Sequence, residues 1–215
     1  YLWRKYFIVE NGIQTKRFDR NIKIRYSNRK KYNIKNKKVL LFLGRIHPQK
    51  NLHLVVNSLK FLKNTVFFIV GPVGDKRYYQ KIKSFIKKNN LQKKVFFIPP
   101  VSNKEVKIWY YTADIFVSPS VVEGISMSII ESLSSSLPVI VSKNVANFRE
   151  IYEDNCGFIV NTNFNDIKKL LLKIENDKID LNSFSNNAKL SAIKRYEISN
   201  VAKKMKKNYL KIINE

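Results

Sequence analysis

Residues 39–50 read Val39-Leu40-Leu41-Phe42-Leu43-Gly44-Arg45-Ile46-His47-Pro48-Gln49-Lys50. A run of apolar side chains with no polar alternation describes a strand covered on both faces, the kind found in parallel sheets. Gly44 ends the run and two cations follow, Arg45 and Lys50. Leu52–Leu62 then places Leu52, Val55, Val56 and Leu59 at helical spacing. A buried strand, a glycine turn and a helix make the opening of a β-α unit, whose loop at the strand's carboxyl end faces a ligand crevice.

The same alternation continues outward. Strands are expected at Val66–Val70, Val95–Ile98, Ile115–Ser118, Val139–Val141 and Phe158–Val160. Gly71-Pro72-Val73-Gly74 stops the first of these, and Pro99-Pro100 the second. Helices are expected at Tyr78–Lys88, at Ser126–Ser134, as a short turn at Phe148–Tyr152, and at Asp166–Ile174. Ser102 with Glu105 spells a capping box that opens another helix through Tyr111. Residues 187–213 read as helical with a break near Ser199. Repeated β-α units predict an α/β fold with an open, parallel, doubly wound sheet, right-handed crossovers and a helical tail. The chain divides into a linker at 1–38, a ligand-binding domain at 39–180 and a C-terminal helical extension at 181–215. Residues 20–38 are basic, rich in Asn and poor in candidate core residues. No internal repeat is present.

Composition narrows the function. The 215 residues carry 41 Lys+Arg against 16 Asp+Glu, a net charge of +25. Forty-four per cent hydrophobic content supports a core and excludes wholesale disorder. No apolar run approaches the ~20 residues that span a bilayer. The single cysteine, Cys156, can form neither an internal disulfide nor a cysteine-based zinc site, and with no secretory signal a cytoplasmic location is expected. The chain begins at Tyr1, which suggests a fragment of something longer. Nucleic acid is not expected as a partner: Lys outnumbers Arg 32 to 9, Lys is the weaker residue for planar phosphate and base recognition, and no nucleic-acid-binding motif is present. The charge sits at the ends. Residues 1–38 and 189–211 hold +18 of the +25. Lys203, Lys204, Lys206 and Lys207 interleave with Met205, Tyr209, Leu210 and Ile213, an amphipathic basic helix able to lie on a partner domain or on acidic lipid.

Two constellations carry chemistry. Glu123-Gly124-Ile125-Ser126-Met127-Ser128-Ile129-Ile130-Glu131 spans a loop-to-helix junction after a strand. Glu123 belongs to the loop, and Glu131 lies about a turn and a half into the helix on a similar face. Free N–H groups near Ile125–Ser128 make an anion site at the helix end, while carboxylates accept hydrogen bonds from sugar hydroxyls. Phosphate between two such acids describes a sugar nucleotide. The same residues also fit a helix that carries Glu near its amino end for dipole reasons. In the second constellation, Arg45 and Lys50 at the carboxyl end of a strand can clamp a diphosphate; they also fit two solvated cations in a chain full of them, Lys50 more readily than Arg45, since Arg is rare here.

In order along the chain, these residues resemble the carboxyl-terminal, donor-binding half of a family 4 (group 1) GT-B glycosyltransferase. Asn11-Gly12-Ile13 through Phe18 is similar to the interdomain linker. Gly44, Arg45 and Lys50 resemble the phosphate clamp, and Val70-Gly71 through Gly74 the second strand and glycine loop. Tyr110 to Ser120 leads into the Asp-strand-Pro-Ser element. Glu123 to Glu131 matches the E-x7-E motif, Leu137-Pro138-Val139-Ile140 the following strand, and Cys156-Gly157-Phe158-Ile159-Val160 the Gly-Phe-Leu-Val strand.

The resemblance implies a Rossmann-like domain, one half of a GT-B fold. It implies transfer of a sugar from a nucleotide-diphosphate donor, most often UDP-linked, with retention of configuration. The acceptor is a glycan or a lipid-linked glycan of a bacterial surface. Glu123, Arg45 and Lys50 are the implied catalytic residues: Glu123 on donor-sugar hydroxyls, the two cations on the departing diphosphate. Gly44, the backbone N–H groups of Gly124, Ile125, Ser126 and Met127, Glu131 on the ribose, and Val101 near the base complete the implied donor site. No metal or other cofactor is implied, because cations and a helix dipole meet the charge. The implied partners are the nucleotide sugar, an amino-terminal Rossmann half that this chain lacks, and peripheral contact with an acidic inner-membrane face. A non-catalytic subunit that binds such partners through its basic ends is the alternative. Of the two histidines, His47 lies in the clamp loop and could touch donor, and His53 reads as an ordinary helix residue. Ser126 and Ser136 stand where the family often has Gly.

Overall fold

The computed structural model describes residues 9–213. Six parallel strands form one sheet: β1 (Lys38–Leu43), β2 (Thr65–Val70), β3 (Val95–Ile98), β4 (Ile115–Ser118), β5 (Val139–Ser142) and β6 (Gly157–Val160), in the spatial order β3-β2-β1-β4-β5-β6. Side chains alternate between two covered faces, as continuous apolar runs require. Leu41, Phe68, Phe116 and Val139 enter one core, while Leu40, Phe42, Phe67 and Ile140 enter the other. The second is roofed by α2 (Leu52–Ser58), α3 (Lys76–Lys88) and α7 (Phe164–Glu175). The first is covered by α4 (Val106–Thr112), α5 (Met127–Ser134), α6 (Phe148–Glu153) and α8 (Leu181–Tyr196).

The strand order reverses between β1 and β4, the switch point at which such sheets bind ligands. β1 and β2 pair along their whole length, Lys38 with Thr65 through Leu43 with Val70. β1 and β4 pair only at Leu40 with Ile115 and Leu41 with Phe116. Beyond that point the carboxyl ends of the two strands are free to part.

Residues 20–38, read as a basic linker with few core residues, include a helix. They contain helix α1 (Ile22–Lys31), capped by the Asn21 side chain, which accepts from the Ile24 N–H at 3.0 Å. The helix docks through arginines instead of an apolar stripe. Arg25 Nη1 donates to the carbonyls of Tyr111, Thr112 and Ala113 at the end of α4, at 2.7–3.0 Å. Arg25 and Arg29 both reach Asp114, at 2.5 and 2.9 Å. A guanidinium at a helix carboxyl end meets unpaired carbonyls and the negative pole of the dipole.

Other boundaries shift for local reasons. The helix expected at Leu52–Leu62 ends at Ser58 and tightens into a 3-10 turn, Leu59–Phe61. The break expected near Ser199 falls at Glu197, between α8 and α9 (Ile198–Ile213). Ile13 is wedged there: its N–H donates to the Tyr196 carbonyl at 2.8 Å, and its carbonyl accepts from the Ile198 N–H at 2.9 Å. Glu197 accepts from the Thr15 hydroxyl at 2.5 Å. Glu10 pairs with Lys204 at 2.7 Å. Part of the amino-terminal segment therefore runs beside the carboxyl-terminal helices.

Two serines settle the departures noted in the sequence. Ser126 has φ −85° and ψ 124°, an extended conformation open to any residue, so glycine is not needed there. Ser136 has φ +55°. It occupies the left-handed position after α5, where the Leu137 N–H donates to the Ser132 carbonyl at 2.9 Å and the Ser136 N–H to the Leu133 carbonyl at 3.0 Å. That pattern closes a helix and favours glycine.

Candidate functional site

The loops after β1 and β2 approach too closely for side chains. Gly71, at φ +139°, would bring a Cβ to 2.2 Å from the Gly44 carbonyl oxygen. The Gly44 N–H donates to the Val70 carbonyl at 2.9 Å, and the Ile46 N–H to the Pro72 carbonyl at 2.9 Å. Buried Ile46 anchors the first loop. Arg45 beside it projects into solvent and makes no ion pair among the described residues.

Beyond Ile46, the chain is stitched to the loop after β4. His47 caps a 3-10 turn, Pro48–Lys50, with its Nδ1 facing the Gln49 N–H at 3.4 Å. The Val121 N–H donates to the Gln49 carbonyl at 2.8 Å, and Asn51 Nδ2 donates to the Pro119 carbonyl at 3.0 Å. Asn51 itself takes φ +51°, which turns the chain into α2. These bonds bring Lys50 against Glu123, with Nζ 2.8 Å from Oε1. The other carboxylate oxygen accepts from Ser118 at 3.0 Å and Ser120 at 2.7 Å. Burial alone pushes the Glu123 carboxyl up, but hydrogen bonds from Lys50 and Ser120, the Lys50 charge and Ser118 outweigh it and hold it below its ordinary value.

Glu123 is fixed at the backbone too: its N–H donates to the Asn144 carbonyl at 3.1 Å and its carbonyl accepts from the Ala146 N–H at 2.9 Å. The next residues, Gly124 to Ser128, run into the start of α5. Their N–H groups find no acceptor among the described residues, and the Ser126 hydroxyl pairs with Ser128 at 2.9 Å instead of capping the helix. Open N–H groups, the positive pole of α5 and Lys50 thus share the crevice between β1 and β4, with Arg45 exposed on the loop after β1, a setting that attracts anions.

Glu131 keeps different company. Its Oε2 accepts from the Tyr110 hydroxyl at 2.9 Å. It borders a cavity of about 340 Å³ lined also by Gly12, Gln14, Arg17, Phe18, Asn103 and Lys107. Burial pushes its carboxyl above the ordinary value, with the Tyr110 hydrogen bond offsetting part of the rise. Val101 is half-buried and packs on the core that contains Tyr110. His53 is not idle: its ring lies 3.0 Å from the Tyr78 hydroxyl. A larger depression of about 500 Å³, beside edge strand β6, shares no residue with either acid. The sequence brought forward the acids and the cations. It gave no sign of Ser118, Ser120 or Tyr110 as their partners, because those contacts depend on which strands and helices lie side by side.

Comparison with known proteins agrees with this architecture. A family model described as glycosyl transferases group 1 matches residues 25–191. The alpha-monoglucosyldiacylglycerol synthase of Acholeplasma laidlawii is 28% identical over 98% of this chain and 54% of its own length. The Escherichia coli UDP-Gal:alpha-D-GlcNAc-diphosphoundecaprenol alpha-1,3-galactosyltransferase is 26% identical over 97% of this chain and 55% of its own. The chain spans about half the length of the curated relatives it matches. Among solved structures, Anabaena Alr3699/HepE in complex with UDP superposes with a TM-score of 0.88 at 15% identity, covering 95% of this chain and 57% of that one. The C-terminal domain of a group 1 family protein from Francisella tularensis superposes at 0.76 with 22% identity, covering 87% of this chain and all of that one. The fold is one Rossmann-like half of a GT-B glycosyltransferase, and the chain belongs to the group 1 glycosyl transferases.

Proposed function

We propose that this chain is the donor-binding half of a retaining glycosyltransferase that takes a nucleotide-diphosphate sugar, UDP-linked, and transfers the sugar to a glycan or lipid-linked acceptor. The observation that carries the reading is the Lys50–Glu123 pair at 2.8 Å, set beside the open amino end of α5. A carboxylate for sugar hydroxyls and cations for a diphosphate meet at one strand switch point. In this reading Arg45, Lys50 and the N–H groups of Gly124 to Met127 meet the charge that develops as the bond between the anomeric carbon and the diphosphate oxygen breaks and its electron pair leaves with the diphosphate. Gly44 lets the backbone approach the phosphates, Glu131 accepts from the ribose hydroxyls, and Val101 lies toward the base. No metal takes part, and the acceptor site belongs to an amino-terminal Rossmann-like half.

Calorimetric titration tests this directly. UDP and UDP-sugars bind the folded chain, with affinity unchanged by a chelator, and Glu131→Ala weakens UDP itself while Glu123→Ala weakens mainly the increment due to the sugar. An intact fold with no binding at millimolar ligand overturns the proposal.

A second reading concerns where the chain works. Helix α9 buries only Val201, while Met205, Tyr209 and Ile212 are exposed beside a row of lysines. Such a stripe fits an acidic bilayer surface, with ~1 kcal/mol from each lysine near it. Lys204 is already paired with Glu10. Replacing Lys203, Lys206 and Lys207 by Gln is expected to weaken binding to phosphatidylglycerol vesicles on the order of 100-fold in cosedimentation. Unchanged partitioning rejects this role and leaves α9 to a partner domain.

A further inference from the structure

Tyr110 is fully buried in α4, and its ring packs edge-on to Phe18 with centroids 6.2 Å apart and lies 6.3 Å from Phe116. A buried tyrosine hydroxyl needs a partner. This one has two, both on α5: the Glu131 carboxylate at 2.9 Å and the Ser128 carbonyl at 3.2 Å. Ser128 lies in the first turn of α5, beside the open N–H groups, and Glu131 stands one turn further on. For Glu131, Tyr110 is the one hydrogen-bond partner among the described residues. The remaining lining of its cavity offers Arg17 and Lys107, and neither forms an ion pair with it.

We infer that Tyr110 is a positioning residue, whose hydroxyl aims the Glu131 carboxylate at the ribose hydroxyls of the donor and sets how strongly the chain selects a ribonucleotide. The inference rests on the donor-binding reading of the cleft. A half-buried glutamate with no partner turns through its terminal torsion with little restraint, because that torsion is broad. A single hydrogen bond from a rigid ring removes that freedom and leaves the second oxygen to receive hydroxyls. The same bond also favours the charged carboxylate, which burial disfavours.

The decisive variant is Tyr110→Phe, which keeps the ring and deletes the hydroxyl. Calorimetry with UDP and with 2′,3′-dideoxy-UDP separates positioning from general damage. UDP affinity is expected to fall about 10-fold, the size of one hydrogen bond to a charged group. Affinity for the dideoxy analogue is expected to stay the same, since it has no ribose hydroxyls to present. Phe116→Leu loosens the packing beside the ring without touching the hydroxyl, and is expected to leave the UDP to dideoxy-UDP ratio unchanged. A ratio unaltered by Tyr110→Phe, or altered equally by Phe116→Leu, overturns the inference.

A second readout needs no nucleotide. In carbon-13-labelled protein, with the Arg17 and Lys107 side chains left in place, the Glu131 carboxyl is expected to titrate higher in Tyr110→Phe than in the parent. An unshifted titration overturns the positioning role even if UDP binds. Failure of the parent chain to bind UDP, with the titration shifted as expected, overturns the donor reading instead.

Discussion

Asp114→Ala is expected to cost about 3–5 kcal/mol, the usual consequence of removing one partner from a buried ion pair. Asp114 sits at the entrance to β4, and three groups converge on it: Arg25 at 2.5 Å, Arg29 at 2.9 Å and the Val39 N–H at 2.8 Å. Truncation leaves the Arg29 guanidinium, only 10% exposed, without its counter-charge. It also removes the link from α1 to the start of β4, leaving the Arg20 and Arg25 bonds to carbonyls at the end of α4 and the Asn28 bond to the Thr112 hydroxyl. For a chain of this size the melting temperature should drop by about 6–20 °C. Thermal unfolding monitored by circular dichroism reads the shift, and Asp114→Asn, which keeps an acceptor but no charge, should fall between the two.

The pH dependence gives an independent check. Burial pushes the Asp114 carboxyl up, but the Arg25 and Arg29 charges and their hydrogen bonds outweigh it, and the group titrates below its ordinary value. A depressed carboxyl contributes stability above its unfolded value, about 3.9, and loses it as pH falls through the folded value. The stability gap between parent and Asp114→Ala should therefore be full at neutral pH and shrink below about pH 4. A gap that stays constant through acid would mean that Asp114 acts through packing alone.

The same residue shows what local patterning can and cannot convey. All six strands announce themselves as apolar runs, because both faces of the sheet are covered. Helix α1 does not. Ile22, Ile24 and Tyr26 are exposed, and its hold on α4 and β4 lies in Arg25 and Arg29, whose partners at residues 111–114 are more than 80 positions away. In a chain with 41 basic residues, nothing local distinguishes those arginines from solvated ones. The candidate site divides in the same way. Glu123, Glu131, Arg45 and Lys50 stand out by residue type and by their place at strand ends. The contact between Lys50 and Glu123 spans 73 positions and exists because β1 and β4 are neighbours at the switch point. Tyr110 lies in the row Trp109-Tyr110-Tyr111, where only the seating of α4 decides which hydroxyl reaches α5. Residue choice is local, and pairing follows topology.

If the proposed function holds, Lys50→Ala is expected to lower sugar transfer by about 10²–10³-fold once the chain is joined to its amino-terminal half, the range measured when one preorganised charge-stabilising donor is removed from an active site. UDP affinity should fall far less, about 10-fold, because the diphosphate gains negative charge as it departs and a cation is worth most at that moment. The loss should appear more in kcat than in KM, which should rise by no more than the roughly 10-fold lost in UDP affinity. Lys50→Arg should recover only part of it, since a planar guanidinium cannot occupy the point position of an ammonium 2.8 Å from Glu123. Glu123 supplies the control. With the ammonium gone, burial is opposed only by Ser118 and Ser120, so the carboxyl should titrate higher than in the parent. On the proposed donor reading, the acid limb of UDP-sugar binding should then move to higher pH, while the limb for UDP, which lacks the sugar assigned to Glu123, stays in place. Equal losses in UDP binding and in transfer, with no movement of the acid limb, would show that Lys50 merely anchors nucleotide and that the charge of the leaving diphosphate is met elsewhere, with the open end of α5 the remaining group in the crevice.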